Sequence, residues 1–450
     1  MKIKFLGAAS GVVTGSSYVL TSGSGKSILI DLGMFQGIPE VEKLNYELFD
    51  FDPQKLMGVV LTHAHLDHCG RLPILLPRGF VGNIWMTPPT RDLAELSLYD
   101  TAKIAKNDGK PVLFDADLVT QTVARFKTVD YHTPFQIGDF SITMINAGHI
   151  LGSASLLIKD TSSDSEIKQI VFSADLGNFP EPLEKVTETF DMADAVVMES
   201  TYGDRLHPNE DASDALQSEI NTIETSGGTL LIPSFSLERT QELLHIIMHL
   251  KKDNKVQANT PIYLDSPMAE KATVIYTHYP SEFNTHIQED LKNGSPFEFP
   301  GLNIINDGRH SGDLDQESLP KVIIAGGGMM TGGRIVGHAA HYLPMASTRL
   351  FIVGYQGEGT LGREILEGNK EVTIEGVKVE IKANVNSTLG MSSHADENQL
   401  ISWLTKIKSV KKVFITHGED SSRETLAQKI TADLGLKDIV LPDLNQEVDV

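Results

Sequence analysis

The sequence predicts an α/β protein whose chemistry sits on loops at the ends of strands. Three observations carry that reading. Short apolar runs alternate with stretches of helical periodicity along the 450 residues, the pattern of sheets layered with helices. Several of those runs end alike, in an acid or a histidine with glycine close behind. One of them, Met57-Gly58-Val59-Val60-Leu61, delivers Thr62-His63-Ala64-His65-Leu66-Asp67-His68. Three imidazoles and a carboxylate on one short loop are a donor set for a borderline metal such as zinc. Four ligands so close together also point to two ions, because they cannot easily wrap one and leave room for a water.

Taken in order, residues 1 to 35 read as strands with tight turns, starting with Met1 to Gly7 as a strand rather than a signal peptide. Tyr18-Val19-Leu20-Thr21 and Ser27-Ile28-Leu29-Ile30-Asp31 flank Ser22-Gly23-Ser24-Gly25, a hairpin pattern. Gly25-Lys26-Ser27 is no phosphate loop, since Leu20 stands where its first glycine belongs and no helix follows. Asp31, at the end of an apolar strand, is placed to accept a hydrogen bond from a metal-bound imidazole. Residues 90 to 107 carry helical periodicity and strand character returns near 140. His149 follows between Gly148 and Gly152, which leave room for close approach. The acidic loop 160–166 reads as solvated. Ile170 to Ser173 leads to Asp175, and Ala195 to Met198 leads to Glu199.

Beyond about residue 205 a second α/β unit begins. Helices are expected over Ser213–Ser226, Leu237–Lys251 and Met268–Thr277, and strands at 228–232, 261–265, 321–325 and 349–353. The run 326–333, with Gly332 and Gly333, is open to two readings: amides cradling a phosphate, or a tight turn needed for packing. Arg334 and Arg363, each beside a glycine turn, favour an anionic ligand. His338 and His341 read as packing or surface residues. In the last 70 residues, Ser393-His394-Ala395-Asp396 precedes a helix and Lys412 to Thr416 is a strand delivering His417. That strand echoes the one before His63, so the chain returns to its first domain. The expected division is 1–205 and 381–450 for the first domain, with 206–380 inserted.

Composition narrows the classes. With 38 basic and 60 acidic side chains the net charge is −22, which argues against coating nucleic acid through the general surface. Cys69, the single cysteine, rules out an internal disulfide, fits a reducing cytoplasmic setting and reads as a packed residue. No apolar run is long enough to span a membrane.

At this point the motifs resemble those of a known family. Asp31, His63-x-His65-x-Asp67-His68, His149 and Asp175, followed by Glu199 in Glu-Ser-Thr-Tyr-Gly, His394 in Ser-His-Ala-Asp and His417 in Thr-His-Gly, occur in the order found in β-CASP nucleases. These are metallo-β-lactamase-fold enzymes that include the messenger-RNA 3′-end processing endonuclease. The opening segment is similar to that of stand-alone prokaryotic RNA-processing members. The resemblance implies an αββα sandwich with an inserted β-CASP domain and two zinc ions, with manganese an alternative. One ion would be held by His63, His65 and His149, the other by Asp67, His68 and His417, with Asp175 bridging.

The implied activity is hydrolysis of single-stranded RNA, endonucleolytic, leaving 5′-phosphate and 3′-hydroxyl ends. The carboxylates of Asp67 and Asp175 join His394 and Glu199 as catalytic residues, with His394 the proton donor and Glu199 its orienting partner. A histidine at 417, where DNA-directed members usually carry valine, favours RNA. Ser234, Arg239, Gly332, Gly333, Arg334 and Arg363 are the candidates for backbone phosphates. A homodimer is left open. The competing classes are a 5′ exonuclease or DNA nuclease of the same family, a small-molecule (thio)ester or lactone hydrolase, and a non-catalytic scaffold.

Overall fold

Apolar alternation in the first and last parts of the chain builds two stacked sheets. In the computed structural model the described residues are 1–107, 112–162, 168–179, 183–208, 211–388 and 390–450. Residues 163–166 of the acidic loop lie outside them. The chain divides into two units, Met1–Leu206 with His394–Val450, and His207–Ser393.

The first sheet of the first unit runs Glu447–Asp449, Lys2–Phe5, Tyr18–Thr21, Ser27–Ile30, Leu56–Val60, Ile84–Met86 and Phe126–Thr128. The second runs Ile439–Val440, Lys412–Ile415, Ala195–Met198, Gln169–Phe172, Ala154–Asp160, Phe140–Asn146 and Phe135–Ile137. Their inner faces share one core: Ile3, Leu20, Ile28 and Val60 from one sheet meet Phe140, Leu156, Phe172 and Phe414 from the other. Emptying such a site, as in Phe172→Ala, costs about 3–5 kcal/mol.

Strand periodicity places alternate residues of the second sheet on its other face. Val171, Val196, Met198, Val413 and Ile415 pack there against Leu400, Trp403, Leu426 and Ile430 of the helices Glu397–Thr405 and Asp420–Leu434. These strands are therefore buried on both faces, which explains their unbroken apolar sequences. Three of them, Gln169–Phe172, Ala195–Met198 and Lys412–Ile415, are neighbours and parallel. Their carboxyl ends therefore deliver Asp175, Glu199 and His417 to one edge. Ser27–Ile30 and Leu56–Val60 are also parallel neighbours and deliver Asp31 and His63.

The second unit is a six-stranded, all-parallel sheet in the order Leu302–Ile304, Ile262–Asp265, Lys321–Gly326, Thr229–Ser234, Thr348–Ile352 and Asn384–Ser387. The helix Arg334–Tyr342 packs on it through Ile335, Ala339 and Tyr342. The first boundary, at 206/207, falls beside the expected one. By contacts the chain returns to the first unit at 393/394, since Asn384–Ser387 pairs with Thr348–Ile352 as the edge strand of the second unit's sheet.

Candidate metal centre

Every strand-end side chain named above belongs to the first unit, and backbone geometry aims them. Asp31 and His417 hold φ of 55° and 54°, and Ala174, just before Asp175, holds 53°. Non-glycine residues rarely adopt this left-handed turn, and its cost of about 1–3 kcal/mol is sustained where surrounding structure fixes it. Gly33 lets the Asp31 turn lie against the histidine loop: a Cβ there would sit 1.5 Å from the Asp67 carbonyl oxygen.

Two groups of donor atoms converge. His63, His65, His149 and Asp175 form one, and Asp67, His68, Asp175 and His417 the other; within each group the donor atoms lie within 4.8 Å of one another. The two oxygens of Asp175 divide between them. Oδ2 stands 3.5 Å from His63 Nε2 and 3.6 Å from His149 Nε2. Oδ1 stands 3.2 Å from His68 Nε2 and 3.5 Å from His417 Nε2. His149 Nε2 lies 3.1 Å from His65 Nδ1, and His417 Nε2 lies 3.3 Å from Asp67 Oδ2.

This donor set fits metal ions. His63 and Asp175 are buried, and among the described residues His63 Nε2 and Asp175 Oδ1 have close neighbours but no hydrogen-bond partner of good geometry. Buried lone pairs left bare are costly, and a cation between them satisfies them. Imidazole nitrogens mixed with carboxylate oxygens suit zinc better than calcium or magnesium.

The outward-facing ring nitrogens are held too. Asp31 Oδ2 lies 2.8 Å from His68 Nδ1, while Asp31 accepts from the Thr62 amide and hydroxyl, each at 2.8 Å. An N–H donated to Asp31 leaves His68 Nε2 as the inward lone pair. Thr62 Oγ1 is 3.1 Å from His63 Nδ1 and Thr201 Oγ1 is 3.2 Å from His417 Nδ1. Thr62 and Thr201 escaped the sequence reading of the site. The signal was present: Thr62 follows an apolar run directly, and Thr201 lies just past the acid that ends another.

Electrostatics divides the centre. Burial dominates in the first group, holding His63 well below the usual imidazole range and His65 at about 4. In the second group burial is outweighed by carboxylates. Asp175 and Asp31 hold His68 well above its ordinary value, and Asp175 and Asp67 raise His417 to about 9.

His394 enters through an antiparallel bridge to Gly177, with the Ala395 amide donating to the Leu176 carbonyl at 2.8 Å. Asp396 caps the helix Glu397–Thr405 and forms a capping box with Gln399. The His394 ring lies 4.4 Å from that of His149 and 6.0 Å from that of His417. Its Nδ1 is 3.2 Å from Glu199 Oε1, which also accepts from the Leu176 amide at 2.6 Å. Burial opposes the charged ring, but the Glu199 carboxylate outweighs it and raises the His394 pKa. Cys69 takes no part in either group; its thiol lies 3.4 Å from the Ala64 carbonyl.

The anion candidates of the second unit are mostly committed internally. Ser234 Oγ lies 2.9 Å from Thr240 Oγ1, and buried Arg239 pairs with Glu242 and donates to Ser393 Oγ at 2.8 Å. Arg334 pairs with Asp265 and donates to the Ile305 carbonyl at 2.8 Å. His338 joins the same carboxylate at 2.7 Å, as a packing residue. Arg363 is more open and bonds Glu367 at 2.7 Å. Close packing accounts for Gly327, Gly328 and Gly333, where a Cβ would meet Gly332, Phe235 and Gly326, while Gly332 faces open space.

Comparison with known proteins adds three matched segments. Residues 10–150 match the metallo-beta-lactamase superfamily, 240–365 the Beta-Casp domain, and 378–442 the Zn-dependent metallo-hydrolase RNA specificity domain. Ribonuclease TTHA0252 of Thermus thermophilus is 35% identical, over 93% of this chain and 94% of that protein. Transcription termination factor FttA of Methanocaldococcus jannaschii is 32% identical, over 94% of this chain and 67% of that protein. A crystal structure of a protein of unknown function from Enterococcus faecalis shares the fold at 11% identity, with a TM-score of 0.55 and 99% of each chain covered.

Proposed function

This chain belongs to the β-CASP family of metallo-β-lactamase-fold nucleases, and from that premise we propose that it hydrolyses phosphodiester bonds of single-stranded RNA. The observation that carries the reading is the pair of donor groups sharing Asp175, with His394 beside them and Glu199 behind it. His63, His65 and His149 would hold one zinc and Asp67, His68 and His417 the other. Zinc held there supplies Lewis-acid polarisation of a phosphoryl oxygen and a nucleophilic water at neutral pH.

The remaining work belongs to the chain. The Asp67 carboxylate takes up the proton that the attacking water gives up. As the bond from phosphorus to the 3′ oxygen breaks, His394 donates its proton to that oxygen. Glu199, accepting from Nδ1, leaves Nε2 as the donating atom and favours the charged ring. The products are a 5′-phosphate and a 3′-hydroxyl. For phosphate contacts outside the centre we propose the amides of Gly332 and Gly333 at the start of the Arg334–Tyr342 helix, together with Arg363. Ser234, Arg239 and Arg334 act there as props, through the internal bonds just described. His417 favours RNA over DNA on the family pattern.

A small-molecule hydrolase would have no use for the Glu199–His394 pair. No helix among the described residues is long and apolar enough to cross a membrane. We place the activity in the cytoplasm, where the lone Cys69 stays reduced.

The test uses one 5′-labelled single-stranded RNA and its DNA counterpart. Internal RNA fragments whose 3′ ends carry hydroxyls support the endonuclease. Mononucleotides from the first time point make it a 5′ exonuclease. Equal cutting of DNA removes the RNA assignment.

A further inference from the structure

A third cluster of donor atoms lies wholly inside the inserted unit. The helix Arg239–Lys252 carries His245 and His249, and the helix Thr285–Asn293 carries His286 and Asp290. Each pair is spaced four residues apart, so each occupies one helical face. The four donor atoms lie within 4.8 Å of one another. Asp290 Oδ2 is 3.1 Å from His245 Nε2, 2.8 Å from His249 Nε2 and 3.6 Å from His286 Nδ1, and the two Nε2 atoms are 3.0 Å apart.

We propose that His245, His249, His286 and Asp290 form a third metal site, a four-ligand site for zinc that clamps the helix Thr285–Asn293 onto the helix Arg239–Lys252. Geometry supports it. Four ligands at about 2.0–2.2 Å in a tetrahedron stand about 3.3–3.6 Å from one another, and the spacings from Asp290 Oδ2 to the three imidazoles and between the two Nε2 atoms, 2.8 to 3.6 Å, overlap that range. Three nitrogens and one oxygen select a borderline transition ion over magnesium or calcium, which take oxygen ligands.

Hydrogen bonding alone serves the cluster poorly. Two imidazole nitrogens face one carboxylate oxygen at close range, and each must be a donor to bind it, which places two N–H groups against each other. An ion on the lone pairs removes that conflict. Lys252 lies 3.9 Å from the other carboxylate oxygen, Asp290 Oδ1, and is largely exposed, so it leaves Oδ2 to the imidazoles.

The neighbouring structure prepares the ligands. Asn284 caps the second helix, accepting from the His286 and Ile287 amides at 3.0 and 3.1 Å, and Ile287 is buried. His245 is 6% exposed, Asp290 13%, His249 26% and His286 64%. The ion would therefore enter from the His286 side. Four protein ligands close the coordination shell, so the site is structural rather than catalytic. It is independent of the nuclease reading, because none of its ligands belongs to the other two groups.

The experiment strips the full-length protein with a chelator, reloads it with zinc alone, removes excess and counts ions per chain. It compares wild type with His249→Ala and His286→Ala, and checks folding by circular dichroism. The proposal expects one equivalent fewer in each variant than in wild type, with unchanged spectra. His286 is exposed, so its variant folds even if removal of His249 disturbs the helix pair. Equal metal content in wild type and His286→Ala would overturn the site and leave a hydrogen-bonded cluster.

Discussion

The three donor clusters stand on two kinds of scaffold. In the lactamase-fold unit the donor side chains leave the ends of strands, drawn from segments as far apart as His68 and His417, and all but His65 and Asp67 are buried. In the inserted unit they stand on two helix faces, each pair one turn apart, and exposure rises outward to His286. The supports differ as well. Asp31 and Thr201 hold the outer nitrogens of His68 and His417, whereas among the described residues His245 Nδ1 is buried with no hydrogen-bond partner. Strand-end loops let a site gather donor atoms, a carboxylate-paired histidine and a shared carboxylate from many segments at the expense of backbone strain. A helix pair supplies four ligands cheaply, but fills the shell and leaves no place for a substrate. The first arrangement suits chemistry and the second suits clamping.

The sharpest way to break that contrast is Asp175→Ala. It removes the carboxylate shared by both groups, so cleavage should fall below detection. The protein should keep a single zinc, in the inserted unit, as counted by metal analysis. Retention of all ions would separate Asp175 from the centre.

Asp31→Asn tests the supports. It keeps the shape but loses the charge that favours the Nδ1–H tautomer of His68, and zinc should be lost to a competing chelator at roughly 10–100-fold lower chelator concentration. Unchanged competition would make Asp31 a turn residue only.

Glu199→Gln tests the proton donor's environment. The carboxylate raises the His394 pKa, and a general acid works only while protonated. Removing the charge therefore lowers that pKa, and the alkaline limb of the pH–rate profile should move to lower pH. A limb that stays in place contradicts the pairing.

The smallest effect expected is on stability. Stripping zinc should lower the melting temperature of the inserted unit in wild type but not in His286→Ala, by a few degrees, since each kcal/mol shifts a domain of this size by about 2–4 °C. Equal shifts in both proteins would separate the clamp from stability.

Much of the fold was legible because its signals are local. Buried parallel strands write themselves as apolar runs, and a strand end that must turn sharply carries glycine near its acid or histidine, as at Asp31, Asp175 and His417. The donor side chains themselves could be picked out for the same reason, although assigning His68 and His417 to one ion rests on the β-CASP pattern. What stayed hidden was non-local or looked ordinary. Asn384–Ser387 has no apolar alternation, so the edge strand was missed. His245 and His249 sit in an amphipathic helix, where histidines read as packing until a second helix brings His286 and Asp290 across. Arg239 and Arg334 look like free anion forks in sequence, and only the folded chain pairs them with Glu242 and Asp265.

The most direct test of the central claim follows His394→Ala on two RNA substrates, one natural and one with sulfur in place of the bridging 3′ oxygen at a single linkage. A thiolate leaves without being protonated. Loss of a general acid should slow the natural linkage by about 10²–10⁴-fold, leave the sulfur linkage close to the wild-type rate, and leave metal content unchanged. An equal defect on both linkages, or loss of zinc from the variant, would contradict the role given to His394 in cleaving the chain.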